Sequence, residues 1–382
     1  SAKEVQEYPI FLDYTPAVFE AVDAFAHDSL SNIYQIADKV ERHRLPAGLA
    51  AEVLGLIART KARVTRRLGT TPRVACCYEA GRDGFWLHRV LEAEGIASHV
   101  MDPTSLQVDR RARRAKTDRL DAQALLRALM AWSRGERQVC SMVRPPSPEH
   151  EDERRLSRER GTLLKERLRL SNRIKGLCAA QGIYDYEPLG ADRRERLARL
   201  VTGDGRALPG RLAAEIGRQL DCFELVLRHL AEVEAVRDAR AAQAREEGGS
   251  KLATLLRLKG IGPEVATVLE LEVFHRHFAN RRDVAAYAGL APSPYASGGT
   301  SREQGISKAG NRRARKALIE LAWLWLRHQP ESALARWYRD RVGTATGRVK
   351  RIAIVALARK LLVAIWRYVE TGLVPAEAAV RT

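Results

Sequence analysis

The chain has 382 residues, 45% of them hydrophobic, enough for two or three domains each with its own core. Its 65 Lys and Arg against 47 Asp and Glu leave a formal charge of +18. Folding does not require that surplus, and a polyanion accounts for it, nucleic acid ahead of an acidic membrane surface. The apolar stretch around Ile352 to Leu362 is interrupted by Arg359 and Lys360 and falls short of the roughly 20 residues of a membrane span, so no membrane partner is expected. No signal-peptide pattern opens the chain, and the five cysteines (Cys76, Cys77, Cys140, Cys178, Cys222) form no C-x-x-C pair, which together imply a reducing cytoplasm and no structural zinc.

In chain order, the first segment, to about Arg144, reads as α/β. Pro9-Ile-Phe-Leu-Asp13 is an apolar run ending in an acid. Arg73 to Tyr78 is a run of strand formers, Asp83 to Glu94 carries helical spacing through Phe85, Leu87, Val90 and Leu91, and Gly95 stops it before a second apolar run, Ile96 to Met101. This is a β-α-β unit with parallel strands, and ligands of open α/β sheets collect at the carboxyl ends of such strands. Glu79 stands at that end, followed by Ala80 and Gly81, where a missing side chain admits a backbone or a ligand.

Downstream, Asp118 and Asp121 head an apolar-periodic helix (Leu120, Ala124, Leu125, Ala128) at i, i+3 spacing, which sets both on one face. The favourable field at a helix N-terminus explains one carboxylate there; coordinating Mg²⁺ beside a phosphate needs several. Glu79 is the natural third acid, and Asp13 the choice for a fourth, with Asp23 and Asp28 as rivals. An acid from the first strand, one from the end of a later strand and a pair on a closing helix form the arrangement of ribonuclease-H-like nucleases, in which two Mg²⁺ ions, or Mn²⁺, stabilise attacking and leaving oxygens. Between the β-α-β unit and the acidic helix, Arg110, Arg111, Arg113, Arg114 and Lys116 offer phosphates a positive rim.

Arg144-Pro-Pro-Ser-Pro148 reads as a linker. Beyond it, Leu156, Leu163, Leu170 and Leu177 recur every seven residues, and Ile216, Leu220, Phe223, Leu227 and Leu230 repeat the pattern, predicting two long helices packed as a coiled-coil hairpin that serves as a spacer or assembles a homo-oligomer. Glu247-Gly-Gly-Ser250 ends this arm, so the expected domains are 1–145, 146–250 and 251–382. In the last of them, Leu258-Lys-Gly-Ile-Gly-Pro-Glu-Val-Ala266 resembles a helix-hairpin-helix, with Lys259, Gly260 and Gly262 as phosphate contacts. A Gly/Ser/Pro loop follows, then Lys308, Asn311, Arg312 and Arg313. Such a loop can present a hydroxyl to a phosphodiester beside cations that stabilise developing charge, and its chemistry leaves Ser293, Ser297, Ser301 and Ser307 equal candidates.

The strings YEAGRDGFWLHRVLEAEGI, RRAKTDRLDA, LKGIGPEVA and YAGLAPSPYASGG continuing to GISKAGNRRARKAL occur in one order along the chain. On them, the chain resembles the insertion-sequence one-hundred-and-ten transposases, in their eleven-eleven subgroup. Where the family's first strand ends in Gly-x-Asp, this chain reads Phe-Leu-Asp13. The resemblance implies a RuvC-like N-terminal domain whose Asp-Glu-Asp-Asp set falls on Asp13, Glu79, Asp118 and Asp121, and a mainly helical C-terminal transposase domain whose nucleophilic serine falls on Ser297. It also implies a structured bridge RNA that pairs with donor and target DNA, and action as a dimer or tetramer. The expected fold is therefore multidomain, α/β plus α, and the expected function is RNA-guided DNA recombination through a phosphoserine link. The rival readings are a junction-resolving nuclease that uses water, and a non-catalytic nucleic-acid-binding protein.

Overall fold

The computed structural model describes residues 5–6, 10–13, 45–46, 49–69, 71–81, 84–106, 118–297 and 300–381. The chain divides into two compact units, Ser1–Ser147 and Pro148–Thr382.

The first unit is built on a four-stranded sheet. Its strands are β2 (Ile10–Asp13), β4 (Arg73–Glu79), β5 (Ala97–Met101) and β6 (Met142–Val143), in the order β2-β4-β5-β6; β1 (Val5–Gln6) and β3 (Leu45–Pro46) pair separately. β4 and β5 are parallel, as the β-α-β reading expects, while β2 and β6 run antiparallel to their neighbours. The near-continuous apolar run of β4 follows from burial on both faces. Val74, Cys76 and Tyr78 pack with Val53, Leu56 and Ile57 of α1 (Ala50–Leu68) and with Leu87 and Leu91 of α2 (Trp86–Ala93). On the opposite face, Ala75 and Cys77 pack with Leu125, Ala128 and Leu129 of α3 (Asp118–Ser133). Burial holds the Cys76 thiol up at about 12, so it stays protonated within this layer.

α2 begins at Trp86 rather than near Asp83, because Gly84 has φ +63°, outside the helical range. α1 is absent from the sequence reading, although Val53, Leu56, Ile57 and Val64 keep helical spacing and Gly69, at φ +72°, supplies its C-terminal stop.

The second unit opens with a two-helix hairpin formed by α4 (Pro148–Ala179) and α6 (Gly210–Glu247), with the short α5 (Arg193–Ala198) near its tip. Pro148 does not end a linker; it opens α4, where a missing N–H costs no intrahelical bond. Leu170, Ile174 and Cys178 bury against Ile216, Leu220 and Phe223; of the leucines spaced by seven, Leu170 is buried in this cluster and Leu177 packs partly buried against it. Gly248 and Gly249, both at positive φ, turn the chain into α7 (Lys251–Arg257), whose first turn is capped by Ser250 Oγ accepting from Ala253 N.

No break between units falls at this point. Ala241 of α6 shares a core with Leu252 and Leu255, and the arm and the C-terminal helices form one unit. That core continues through α8 (Pro263–Leu269), a π-helical turn (Glu270–Phe274), α9 (Arg281–Tyr287), α10 (Arg312–His328), α11 (Ala333–Val342) and α12 (Arg348–Thr371), around Trp325, which donates Nε1–H to Ser332 Oγ at 2.9 Å. Among the described residues no helix is long and apolar enough to cross a membrane.

Candidate active site and nucleic-acid interface

Glu79 is the last residue of β4, exposed, and in register with Met101 of β5. The next peptide bonds back to the neighbouring strand, Ala80 N–H donating to Met101 O at 2.8 Å, and a side chain at Gly81 would meet open space. The carboxylate therefore stands exposed at the carboxyl end of β4, among the described residues. Asp102, directly after β5, is a second acid at this end of the sheet that sequence reasoning passed over; its signal was an acid one residue beyond the second strand's carboxyl end. Its backbone is held on both sides, N–H donating to Ser141 O at 2.9 Å and C=O accepting from Ser105 Oγ at 2.7 Å.

Asp118 and Asp121 occupy the first turn of α3, as expected, while their side chains lie outside the described set. The Cys77 thiol donates to Leu125 O (3.8 Å), which lays this helix over β4. One helical turn separates Leu125 from Asp121, and two residues separate Cys77 from Glu79.

Asp13 is different. Its backbone pairs with Arg73, at the opposite end of β4 from Glu79, because β2 runs antiparallel and ends where β4 begins. Six residues at roughly 3.3 Å each put about 20 Å between the two positions, so the structure does not bring Asp13 to Glu79. Asp23 and Asp28 lie outside the described residues, as do Arg110, Arg111, Arg113, Arg114 and Lys116. Among the described residues no three His, Cys, Asp or Glu side chains converge as a metal site. The acids of this region nevertheless suit a hard divalent cation: carboxylate oxygens at a strand's carboxyl end, with no side chain at Gly81 to obstruct approach.

The Gly/Ser/Pro loop of the second unit is a β-hairpin, β7 (Pro292–Ser297) and β8 (Thr300–Ile306). Ser297 pairs with Thr300 as the last residue before a two-residue Gly298-Gly299 connection, which itself lies outside the described residues. The prolines are tolerated because β7 has one strand neighbour and its register shifts between Pro292 and Pro294. Ser301 faces Ala296 on the partner strand, whereas Ser293 is half-buried and Ser307 exposed, both near the base.

That base is pinned. Ser307 N–H donates to Ala291 O (2.9 Å), Lys308 N–H to Gly289 O (3.2 Å) and Asn311 N–H to Tyr287 O (2.7 Å). Lys308, at φ +59°, and Arg312, at the head of α10, are exposed beside it.

Asn311 and Arg313, expected to contact nucleic acid, have partners within the protein instead. Asn311 Oδ1 caps α10 by accepting from Arg313 N (3.0 Å) and Ala314 N (3.1 Å), and its Nδ2 donates to Glu272 Oε2 (3.0 Å). Arg313 Nη2 donates to the Ser157 carbonyl and hydroxyl on α4. The cause is Glu272, 3% exposed in the π-helical turn: a buried carboxylate requires donors, and Asn311, Arg313 and Arg158 supply them.

At the position of the expected helix-hairpin-helix, a turn around Lys259 joins α7 to α8, with Gly260 at φ +89° and Gly262 as the N-cap before Pro263. Part of its backbone is covered by the chain's own C-terminal residues. Lys259 N–H donates to Ala379 O (3.0 Å), Arg381 Nη1 to Ile261 O (3.1 Å), and Gln329 Nε2 bridges Lys259 O and Ala379 O, each at 2.8 Å. The Lys259 side chain stays exposed.

Comparison with known proteins links both units to one activity. Residues 252–337 match a family model described as "Transposase IS116/IS110/IS902 family", and residues 42–179 match a second, of the DEDD IS110 type, described as "Transposase". A putative transposase, y4rJ, of Sinorhizobium fredii (strain NBRC 101917 / NGR234) is 51% identical over 354 residues, covering 90% of this chain and 89% of that protein. The transposase for insertion sequence element IS1328 of Yersinia enterocolitica is 24% identical, covering 82% and 89%. The transposase for insertion sequence element IS1111A of Coxiella burnetii (strain RSA 493 / Nine Mile phase I) is 28% identical, covering 78% and 77%.

Proposed function

The chain belongs to the IS116/IS110/IS902 transposase family, an enzyme that acts on DNA, and from that premise we propose that it is an RNA-guided DNA recombinase with a serine nucleophile. The observation that carries the reading is the position of Ser297, at the end of a hairpin strand on an element pinned at its base, where Lys308 and Arg312 stand exposed. The first unit is the RuvC-like catalytic domain. Glu79, Asp118 and Asp121, with an acid from the N-terminal segment, would hold Mg²⁺ or Mn²⁺, which when bound supplies charge stabilisation at the scissile phosphate.

The chain's own steps follow from its groups. Ser297 Oγ attacks phosphorus, an Oγ–P bond forms, the P–O bond to the departing strand breaks, and the serine proton ends on the released oxygen. Lys308 and Arg312, at the base of the hairpin, would hold the nucleic-acid backbone that runs along it. The covalent link conserves bond energy, so a hydroxyl of the second strand can displace Ser297 without ATP. A bridge RNA paired with donor and target selects the sites, and the protein acts as a dimer or tetramer.

The test is a denaturing quench. Wild type, Ser297→Ala and Glu79→Gln are incubated with DNA and the RNA that co-purifies with the protein, and covalent protein–DNA adducts are resolved. An adduct in wild type alone is expected. Cleavage by Ser297→Ala at the wild-type rate would establish water as nucleophile and end the serine reading, and an undiminished adduct in Glu79→Gln would end the metal-site reading.

A further inference from the structure

The root of the arm gathers several cations, with Glu272 and Glu151 as the acids that bear on Arg154. Arg154 and Arg158, one turn apart on α4, face the π-helical turn and the residues just after it. Glu272 serves one end, its Oε1 lying 3.4 Å from Arg158 Nε and 3.5 Å from Arg313 Nε. At the other end stand His275 and Arg276, packed on Tyr287, with the Arg276 guanidinium 4.7 Å from the Tyr287 ring centre and the His275 ring 6.5 Å from it. The charged groups bearing on His275 are Arg154, Arg276, His150 and Lys251, none of them acidic. Lys251 donates Nζ–H to Phe274 O at 2.6 Å.

Two guanidinium donors here lack acceptors. Arg154 is 9% exposed; its Nε donates to Leu271 O (2.9 Å), but its Nη2 is buried without a partner. Arg276 Nε is buried in the same condition, and the His275 Nδ1 ring nitrogen beside it is buried without a partner too. Buried N–H groups in proteins nearly always find acceptors, and two guanidinium donors left over in one neighbourhood lack the same thing, an anionic oxygen. A phosphate presents several such oxygens and forms charge-assisted bonds with guanidinium N–H groups.

We propose that the cationic cluster at the root of α4, formed by Arg154 and Arg276 and backed by His275, binds one phosphodiester of the nucleic acid on which the protein acts. The site rests on the chain's action on nucleic acid and is independent of the metal and serine chemistry. Its position gives it consequence: the Tyr287 carbonyl receives Asn311 N–H at the base of the β7–β8 hairpin, so the phosphate would register the nucleic-acid backbone against both the arm root and the element that ends in Ser297.

Two measurements on the full chain test it. In the first, inorganic phosphate is the probe, titrated against NaCl at matched ionic strength while thermal unfolding is followed. A saturable rise in Tm is expected for wild type, absent in Arg276→Gln and partly restored in Arg276→Lys. In the second, the slope of log K against log salt is measured for DNA binding. Loss of one phosphate contact lowers its magnitude by about 0.9, and that change is expected in Arg276→Gln and Arg154→Gln. Unfolding of each variant in NaCl checks its fold, and if Arg154→Gln does not fold, the Arg276 pair decides.

A wild-type protein that responds to phosphate no more than to chloride overturns the proposal. So does a phosphate response combined with unchanged DNA slopes, which would mark a site for free anions alone. Ser297→Ala keeps both responses, so failure of the serine reading and failure of this one are distinguishable.

Discussion

Asn311 Nδ2 lies 3.0 Å from Glu272 Oε2, a bond between residues 39 apart that ties the segment following the serine hairpin to the π-helical turn against the arm. The same carboxylate, with its side chain 5% exposed, faces Arg158 and Arg313. Removing it leaves those donors without their anion. Glu272→Ala is expected to cost on the order of 3 kcal/mol in urea denaturation, and Glu272→Gln, which keeps one acceptor, clearly less. A loss below about 1 kcal/mol in Glu272→Ala, the scale of a solvent-exposed pair, would show that the network does not hold the arm root.

Gly289 and Gly310 clamp the hairpin base. A Cβ on Gly289 would lie on the Ala309 carbonyl oxygen, and one on Gly310 would strike the Tyr287 carbonyl oxygen, while the two φ values are +65° and +90°. Alanine at either position meets a backbone clash as well as roughly 1–2 kcal/mol of left-handed strain. Both variants are expected to lose more than 2 kcal/mol and most strand-transfer activity. Wild-type stability in Gly310→Ala would show that the base relaxes freely.

The arm seam is consumed within the chain. Phe223, 0% exposed, packs with Leu170 and Ile174 across the two helices. Phe223→Ala is expected to cost about 3–5 kcal/mol, with the mass seen by light scattering unchanged. Leu170→Glu should expose the arm to proteolysis for the same reason. A fall in mass without loss of stability in either variant would return this seam to an intermolecular role.

His275 gives the second unit a pH dependence. Burial, and then the neighbouring Arg154, Arg276, His150 and Lys251, lower its pKa from 6.5 to about 3. In the unfolded chain the imidazole takes up a proton as pH falls through 6.5, while in the folded chain it does so only near 3. Stability from this residue is therefore complete above pH 6.5 and declines as pH drops from there toward 3. Urea midpoints measured at pH 7.5 and pH 5 should differ more for wild type than for His275→Asn; equal differences would remove His275 as the cause.

Local chemistry made much of this chain legible before any tertiary contact was known. The run of strand formers from Val74 to Tyr78, the helical spacing through Leu87 and Leu91 and the stop at Gly95 define a β-α-β unit because each signal is a property of neighbouring residues, and the parallel pairing of β4 with β5 follows from the crossover. Glu79 at a strand end and Asp118 at a helix head are positions of the same kind. α1 was equally readable from Val53, Leu56 and Ile57 but was passed over in a segment with weak flanking signals.

Strand direction and the partners of individual side chains are different, because they depend on residues far away in sequence. Asp13 ends an apolar run as expected, yet its separation from Glu79 is set by the antiparallel register of β2 on β4, which no local pattern encodes. Asn311 and Arg313 sit in a basic stretch that looks ready for phosphate, and the buried Glu272 carboxylate, 39 residues before Asn311, takes them inward. The sequence by itself determined which residues are acidic, basic or apolar, and which helices and strands they form; the tertiary structure decided which of those charges face one another, since a buried charge binds the nearest donors that packing brings to it.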